Sequence, residues 1–401
     1  MRARLATLGA TLSKTARFTT RPRLAAVLAG ALLGFGQSPY DFPLAMLLAG
    51  PVLAHLAIAA ATPRRAALIG WCAGFGYFAL VLSWIVEPFL VDIARHGWMA
   101  PFALVGLAGG LALFWAGAFG LAQRLAPAGA ARVVMLAVLW AGAEALRGHV
   151  LTGFPWALPA YALLETPWLP LAADLGPYAL TLLVLTAILL PALGRGGVAA
   201  SLALTLAALA LAHRPVAAPA PAPGLTVRLV QPNAAQHLKR DPAHMPIFWQ
   251  RMMAATAAPG APDVVIWPEV AVSFLYASAP EAEAAMAKAA AGAPVIYGTR
   301  RWPETGGWRN TLAVTGSRDF YDKVHLVPFG EYMPFAEVFA ELGIFGLAAE
   351  ERGGYVPGTV RAPLSVRGLP AFLPLICYEA VFQGGVRAAR GEAAWIVHLP
   401  N

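Results

Sequence analysis

A succession of apolar stretches in the first half of the chain restricts its fold more than any other feature. A helix that spans the hydrocarbon core of a bilayer needs about 20 mostly apolar residues. We therefore predict a polytopic α-helical membrane domain of about seven spans over residues 1–213. The stretches that meet or approach this length are 24–36, 42–61, 66–86, 98–122, 131–147, 173–193 and 197–213.

The composition agrees with a membrane protein. Of the 401 residues, 12% are charged and 59% are hydrophobic, whereas soluble globular proteins carry about 25% charged residues. This excludes an ordinary soluble enzyme and a disordered chain. The net charge of +8 could indicate a nucleic-acid partner, but six basic residues precede the first acidic one, Asp41, directly before an apolar stretch. That placement is typical of a topology signal, so we predict no nucleic-acid partner.

Basic residues also predict the orientation in the membrane. They occur in the N-terminal tail and in every second loop after it, and the intervening loops are poorer in them. Because cytoplasmic loops carry an excess of Lys and Arg, we expect a cytoplasmic N-terminus. An odd number of spans then places the second half of the chain outside. The loop residues that set this pattern are Arg64, Arg65, Arg124, Arg132 and Arg195.

The second half is predicted to be an α/β domain. Alternating Pro and Ala residues at 214–224 indicate an extended linker. Beyond it, over residues 225–401, short β-branched runs alternate with helical patterns, which favours a layered sheet. Strands are predicted at 226–231, 264–267, 294–299, 311–315, 319–324, 369–376 and 394–399. Helices are predicted at 243–256, 281–291 and 381–390.

Three of the predicted strand ends carry reactive side chains: Glu269, Lys323 and Cys377. Taken singly, a strand cysteine is most often a small buried hydrophobe, and a glutamate or lysine after a strand is most often solvated. Together, in a chain with so few charges, they indicate nucleophilic catalysis. A carboxylate can remove the thiol proton, and an ammonium can stabilise the charge on a tetrahedral intermediate. With two cysteines and no histidine pair at ligand spacing, we predict no metal.

The motifs around these residues resemble a known family. Trp267-Pro-Glu269, Lys323-Val-His-Leu-Val-Pro-Phe-Gly-Glu331-Tyr-Met-Pro and Cys377-Tyr-Glu379 look like the Glu-Lys-Cys constellation of the nitrilase (carbon–nitrogen hydrolase) superfamily. The Lys323 segment is similar to that of the apolipoprotein N-acyltransferases. Glu144-Ala-Leu-Arg147 and Thr152-Gly-Phe-Pro-Trp156 in the first half match the same family. The resemblance implies an α-β-β-α sandwich for residues 225–401.

The resemblance also implies an acyl-transfer reaction. Cys377 would attack an acyl ester of a phospholipid and form a thioester. The α-amino group of a diacylglyceryl-cysteine at the N-terminus of a lipoprotein would then receive the acyl chain. Glu269 would be the general base in both steps, and Lys323 would stabilise the oxyanion together with the Tyr378 backbone N–H. No cofactor would be required.

Supporting roles and a location follow from the same resemblance. Glu331 would orient Lys323, Glu379 would support the cysteine loop, and Phe154 and Trp156 could border acyl chains, although an aromatic anchor at the membrane interface explains these two equally well. Both substrates are held in the membrane. We therefore expect a monomer in the bacterial inner (cytoplasmic) membrane, with the catalytic domain in the periplasm.

Two departures from the family and several alternatives remain open. Arg240 follows Lys239 where the family has Lys-Trp, which weakens a lipid-contacting role there. The family pattern continues beyond Asn401 with further strands and a last span, so we expect a catalytic domain that is incomplete at its C-terminus. The alternatives are a membrane-anchored nitrilase-type amidase, a transporter and an inactive truncated remnant. Within the predicted spans, we expect Cys72 to be a packing residue and Glu144 to pair with Arg147.

Overall fold

A computed structural model describes residues 21–214, 224–235, 237–239, 241–334, 341, 354–389 and 391–400. It divides into two compact units, Met1–Ala217 and Ala218–Asn401. Most of the predicted linker, together with Arg240 and Asn401, lies outside the described residues.

Helices occupy all seven apolar stretches of the first unit. The helix Ala172–Leu189 contains an irregular residue, Gly176, whose φ of 66° interrupts the helical geometry just before Pro177. The helices are α1 (Pro22–Gly34), α2 (Leu44–Ala59), α3 (Pro63–Val81), α4 (Glu87–Leu90), α5 (Ile93–His96), α6 (Ala100–Leu125), α7 (Ala130–Arg147), α8 (Ala172–Leu189) and α9 (Arg195–Ala212).

Fewer stretches than predicted are long and apolar enough to cross a bilayer. Within the described residues there are three, Ile93–Leu125, Leu169–Leu193 and Arg195–Ala212. A fourth is formed if Pro63–Val81 and Ser83–Leu90, which are bent by 62°, count as one span. The apolar helices α1 and α2 are shorter than one span. The helical, apolar character of this region is confirmed, and the number of seven spans stays a prediction.

Close helix packing builds the core of the first unit. A Cβ on Gly30 would lie 1.9 Å from the Ala73 carbonyl oxygen, and one on Gly76 would lie 2.1 Å from the Val27 carbonyl oxygen. The backbones of α1 and α3 therefore approach as closely as small residues allow. Next to them, α6 and α7 contribute large aromatic rings. The fully buried aromatic side chains of this core are Tyr77, Phe78, Trp115, Phe119 and Trp140.

An ion pair lies inside this apolar unit. Glu144 and Arg147 are 0% and 2% exposed. The guanidinium of Arg147 donates through Nε to Glu144 Oε2 at 3.0 Å, and Trp115 Nε1 donates to Glu144 Oε1 at 2.5 Å. The predicted pairing at helical i,i+3 spacing is thus confirmed, and it satisfies two charges that would be costly alone. Cys72 is also buried among the helices, as expected.

In the described part of the second unit, the strands form two sheets. Five strands are hydrogen-bonded in chain order, with the first three parallel and the last two antiparallel to their neighbours. They are β1 (Val227–Leu229), β2 (Val264–Ile266), β3 (Val295–Arg301), β4 (Arg309–Val314) and β5 (Phe320–Asp322). Two further strands, β6 (Phe372–Ile376) and β7 (Trp395–Leu399), form a parallel pair.

The described residues of this unit also form the helices α10 (Met245–Thr256), α11 (Pro280–Ala289) and α12 (Gln383–Ala388). Every strand and helix predicted for residues 225–401 is present at its expected position, with ends that differ by a few residues.

Alternation along the strands divides the apolar residues between two faces of the five-stranded sheet. On one face, Val265 and Tyr297 pack with Met252 and Met286 of α10 and α11. On the opposite face, apolar residues of β2 to β5 pack with β6 and β7. The residues of that second core include Val264, Ile296, Leu312, Phe372 and Val397. The other side of β6 is covered through Leu373 and Leu375, which contact Val386 of α12.

Candidate active site

The structure brings the three residues at the predicted strand ends together. Glu269 follows β2, Lys323 follows β5 and Cys377 follows β6, so two facing sheets contribute to one site. The ammonium of Lys323 lies 3.6 Å from Glu269 Oε1. The Cys377 thiol is close enough to both groups for their charges to act on its pKa. A carboxylate, an ammonium and a thiol therefore lie next to one another.

The charge of Lys323 is buried and is compensated by neighbouring carboxylates. Its side chain is 1% exposed, and Nζ lies 3.0 Å from Glu331 Oε1 and 2.9 Å from Glu331 Oε2. Burial lowers the pKa of Lys323, but the carboxylates of Glu331 and Glu269 more than offset it and leave the pKa above its usual value. The side chain is consequently a fixed positive charge at neutral pH. This fits the expected orientation of Lys323 by Glu331.

Cys377 is a neutral thiol in the resting site. Burial and then the Glu269 carboxylate raise the pKa of Cys377 to about 11, against the opposing effect of Lys323. A thiol in this state becomes a nucleophile only when a base takes its proton. Its backbone has a φ of 48°, in the left-handed region, where β6 turns into the short 3₁₀ helix Cys377–Val381. Such strain at a strand-to-helix turn is typical of functional positions.

The loop that carries Glu269 is held by close backbone contacts. Pro268 follows strand β2, and Gly298 of β3 lies against the turn: a Cβ there would be 2.4 Å from the Val270 nitrogen and 2.7 Å from Glu269 Cα. Lys239 Nζ also donates to the Glu269 backbone carbonyl at 2.9 Å. Lys239 thus contacts the loop that carries Glu269, and this contact was not predicted from the sequence.

Glu379 connects the loops of the nucleophile and the lysine. It is fully buried, and its Oε2 accepts from the Ile376 backbone N–H at 2.9 Å. Its Oε1 accepts from the backbone N–H of Val324 at 2.9 Å and of His325 at 3.1 Å. This agrees with the expected support of the cysteine loop. Two side chains add to Oε1, the Tyr321 hydroxyl at 2.7 Å and the Arg361 guanidinium at 2.8 Å.

Tyr378, expected to provide a backbone N–H, is buried next to the nucleophile. Its ring lies 5.0 Å from that of Phe382 and 5.8 Å from that of His325. These rings pack together at the turn that follows Cys377.

Phe154 and Trp156 lie in the first unit, in a non-helical segment whose carbonyls are held by side chains. The Trp156 ring is 5.5 Å from that of Trp84, and both Phe154 and Trp156 are half-buried. Four carbonyls along the segment accept from donors elsewhere in the unit. These bonds are Arg147 to Phe154 O, Tyr161 Oη to Pro155 O (3.0 Å), Tyr77 Oη to Ala157 O (3.0 Å) and Gln37 Nε2 to Leu158 O (3.2 Å).

Sequence reasoning missed three polar residues of the site: Asn310, Lys239 and Arg361. The one available signal was a polar residue inside a strand with an otherwise buried pattern, as Asn310 is in β4. Contacts made across sheets leave no mark on local sequence, so Arg361 could not be found. In the part of the chain that the structure describes, no group of three or more His, Cys, Asp or Glu side chains is arranged to hold a metal ion.

Comparisons with known proteins identify the family. The family model for the apolipoprotein N-acyltransferase N-terminal domain matches residues 29–190. The chain is 37% identical to the apolipoprotein N-acyltransferase of Brucella suis biovar 1 (strain 1330), over 95% of this chain and 78% of that protein. For the protein of the same name from Sinorhizobium fredii (strain NBRC 101917 / NGR234), the identity is 36% over 93% and 77% of the two chains.

A solved structure, glutamine-dependent NAD+ synthetase from Acinetobacter baumannii, aligns with 39% of this chain and 30% of its own at 19% identity and a TM-score of 0.26. That similarity is too weak to establish a shared fold. The sequence relatives carry the assignment, and the chain belongs to the apolipoprotein N-acyltransferase family.

Proposed function

We propose that this chain transfers an acyl chain from a phospholipid to the N-terminal α-amino group of a diacylglyceryl-cysteine lipoprotein, through a thioester on Cys377. The observation that carries the proposal is the convergence of three strand ends, which places the Cys377 thiol beside the Glu269 carboxylate and the Lys323 ammonium, with Lys323 Nζ 3.6 Å from Glu269 Oε1. Family membership supplies the substrates. The packing order of helices, sheet, sheet and helix supports a nitrilase-like α-β-β-α sandwich for residues 225–401.

In the first half-reaction, Glu269 takes the proton from Cys377 as Sγ attacks the ester carbonyl carbon of the phospholipid. A general base is necessary because the pKa of Cys377, about 11, leaves little thiolate at neutral pH. The Lys323 ammonium and the Tyr378 backbone N–H stabilise the oxyanion. The C–O bond then breaks, and Glu269 returns the proton to the departing lysophospholipid hydroxyl.

In the second half-reaction, the α-amino nitrogen of the lipoprotein attacks the thioester carbonyl. Glu269 accepts a proton from this nitrogen, an amide bond forms, and the C–S bond breaks. The proton then returns to the Cys377 sulfur, which restores the resting thiol. Throughout, Glu331 holds the Lys323 ammonium and Glu379 fixes the backbone before the nucleophile.

The membrane half would bring this site to its substrates. We propose a helical domain over residues 1–213 with seven spans, a linker at 214–224, and a catalytic domain on the periplasmic face of the inner membrane. The distribution of Arg and Lys among the loops supports this orientation. Both substrates are anchored in lipid, so a monomer could meet them by lateral diffusion.

A labelling experiment tests the proposal directly. Membranes that contain the 401-residue chain are incubated with acyl-labelled phospholipid, and the protein is examined for a hydroxylamine-sensitive label. We expect labelling of the wild type and of the matched control Cys72→Ser, and none of Cys377→Ser. Labelling that persists in Cys377→Ser would contradict the proposal. Hydrolysis of small amides without any lipid label would favour the amidase alternative.

A further inference from the structure

The amide of Asn310 joins the two carboxylates of the site. Its Nδ2 donates to Glu269 Oε1 at 2.7 Å and to Glu331 Oε1 at 2.9 Å. The residue is 3% exposed and lies on β4, where its carbonyl accepts the Lys323 backbone N–H at 2.8 Å. Asn310 thus contacts the proposed base, the carboxylate that orients the lysine, and the backbone of the lysine itself.

The charges around Glu269 show why such a bridge matters. Two carboxylates and one ammonium share a buried space, and the ammonium lies closer to Glu331 (2.9 Å) than to Glu269 (3.6 Å). The amide nitrogen of Asn310, at 2.7 Å, therefore lies closer to Glu269 Oε1 than the Lys323 ammonium does. A neutral donor shared by two anions favours the ionised form of both. The titratable or charged groups that face Glu269 are Lys323, Glu331 and Cys377 at its carboxylate and Lys239 at its backbone carbonyl.

The carbonyl oxygen of the Asn310 side chain indicates that this position requires the N–H donors of the amide. Within the described residues, Asn310 Oδ1 is buried without a hydrogen-bond partner. Rotation of the amide by 180° would direct this oxygen at two carboxylates, so the observed orientation is the stable one. A buried acceptor without a partner is unfavourable. It persists here together with two short bonds from Nδ2.

We propose that Asn310 is a positioning residue that fixes the Glu269 carboxylate and stabilises its charge, with Oε1 occupied and the second carboxylate oxygen left to accept the Cys377 proton. In the step that it supports, the S–H bond breaks, the proton moves to Glu269 and the sulfur becomes the nucleophile. This inference rests on the thioester mechanism proposed above. It does not depend on which acyl donor the site uses.

The test uses an activated ester in place of the lipid. The full-length chain in detergent reacts with p-nitrophenyl butyrate, and the burst of p-nitrophenol is followed as a function of pH. Removal of the bridge by Asn310→Leu should move the acid-side midpoint of the burst rate upward by about one pH unit. At a pH below the wild-type midpoint, the burst rate of Asn310→Leu would then be about tenfold lower than that of the wild type. Asn310→Asp, which is isosteric and adds a like charge, should move the midpoint in the same direction.

The matched control is Thr311→Val on the same strand. It removes a buried hydrogen bond, from Thr311 Oγ1 to Asp322 Oδ1 at 2.7 Å, that does not involve the three catalytic residues. Its midpoint should equal that of the wild type. Equal midpoints in all variants, a shift in Thr311→Val of the same size, or no burst from the wild type would overturn the inference. Failure of the wild type to take a label from phospholipid, with the burst and its shift intact, would instead contradict the proposed substrate.

Discussion

At Cys377, two neighbouring charges act in opposite directions on one thiol. The Glu269 carboxylate raises its pKa and the Lys323 ammonium lowers it, with burial as the largest cause of a value of about 11. The proposed reaction needs both neighbours, so thiol reactivity and acyl transfer need not change together when one of them is removed.

Glu269→Gln separates these two effects. Loss of the negative charge lowers the pKa of Cys377, so alkylation by iodoacetamide at pH 9 should become faster than in the wild type. Acyl-thioester formation should fall by about two or more orders of magnitude, because the general base is gone. Both rates are measured in a Cys72→Ala background, which leaves one thiol. Acyl transfer that rises together with alkylation would contradict the role of Glu269 as base.

Lys323→Met should have the opposite effect on the thiol. Removal of the ammonium raises the pKa of Cys377 further, so alkylation at pH 9 should become slower. Acyl transfer should again fall by about two or more orders of magnitude, since an oxyanion donor is lost. The control Lys288→Met removes an exposed lysine of α11 and should change neither rate. A normal acyl-transfer rate in Lys323→Met would exclude the oxyanion role.

At the scale of elements, the strand-end loops are held by contacts outside the catalytic residues. Arg361→Ala would leave the Glu379 carboxylate buried without its cation. We expect a loss of stability of about 3 kcal/mol, as for other broken buried pairs. Thermal unfolding of the full chain in detergent should show this as a lower Tm. Replacement of the exposed Arg367 in the same segment should leave Tm unchanged; an equal change in both variants would argue against a specific role of the pair.

The loop that carries Glu269 also depends on a close contact with β3. In Gly298→Ala, the new methyl group would lie 2.4 Å from the Val270 nitrogen, so the loop with Glu269 must move. We expect acyl-thioester formation to fall at least about tenfold, since small displacements of a catalytic group are costly. Gly384→Ala in α12, where a Cβ meets open space, is the control. Wild-type acylation in Gly298→Ala would show that the close approach is not needed.

The elements themselves were largely predictable, and their contacts were not. A β-branched run identifies β2 and an apolar run identifies β6 as buried strands, and the Pro-Glu and Cys-Tyr-Glu steps after them indicate reactive ends. The division of seven strands into sheets of five and two depends on long-range pairing, which local patterns do not contain. Likewise, apolar length alone does not reveal the 62° bend after α3, and the number of seven spans stays a prediction.

At the scale of the whole molecule, the proposed topology places residues 224–400 and the loop before α7 on opposite sides of the membrane. In a chain with Cys72 and Cys377 replaced by Ala, Ala258→Cys should react with a membrane-impermeant maleimide in intact spheroplasts. Ala128→Cys should react only after the membrane is permeabilised. Both positions are exposed. If Ala128→Cys alone were labelled in intact spheroplasts, the orientation would be the opposite of the proposed one.

The segment Phe154–Leu158 is held by its main chain, since Arg147, Tyr161, Tyr77 and Gln37 bind carbonyl oxygens and not side chains. These four bonds do not depend on which side chains the segment bears, so a substitution at Phe154 or Trp156 leaves every one of their donors and acceptors in place. A change at Arg147 would remove one of these bonds together with the ion pair to Glu144.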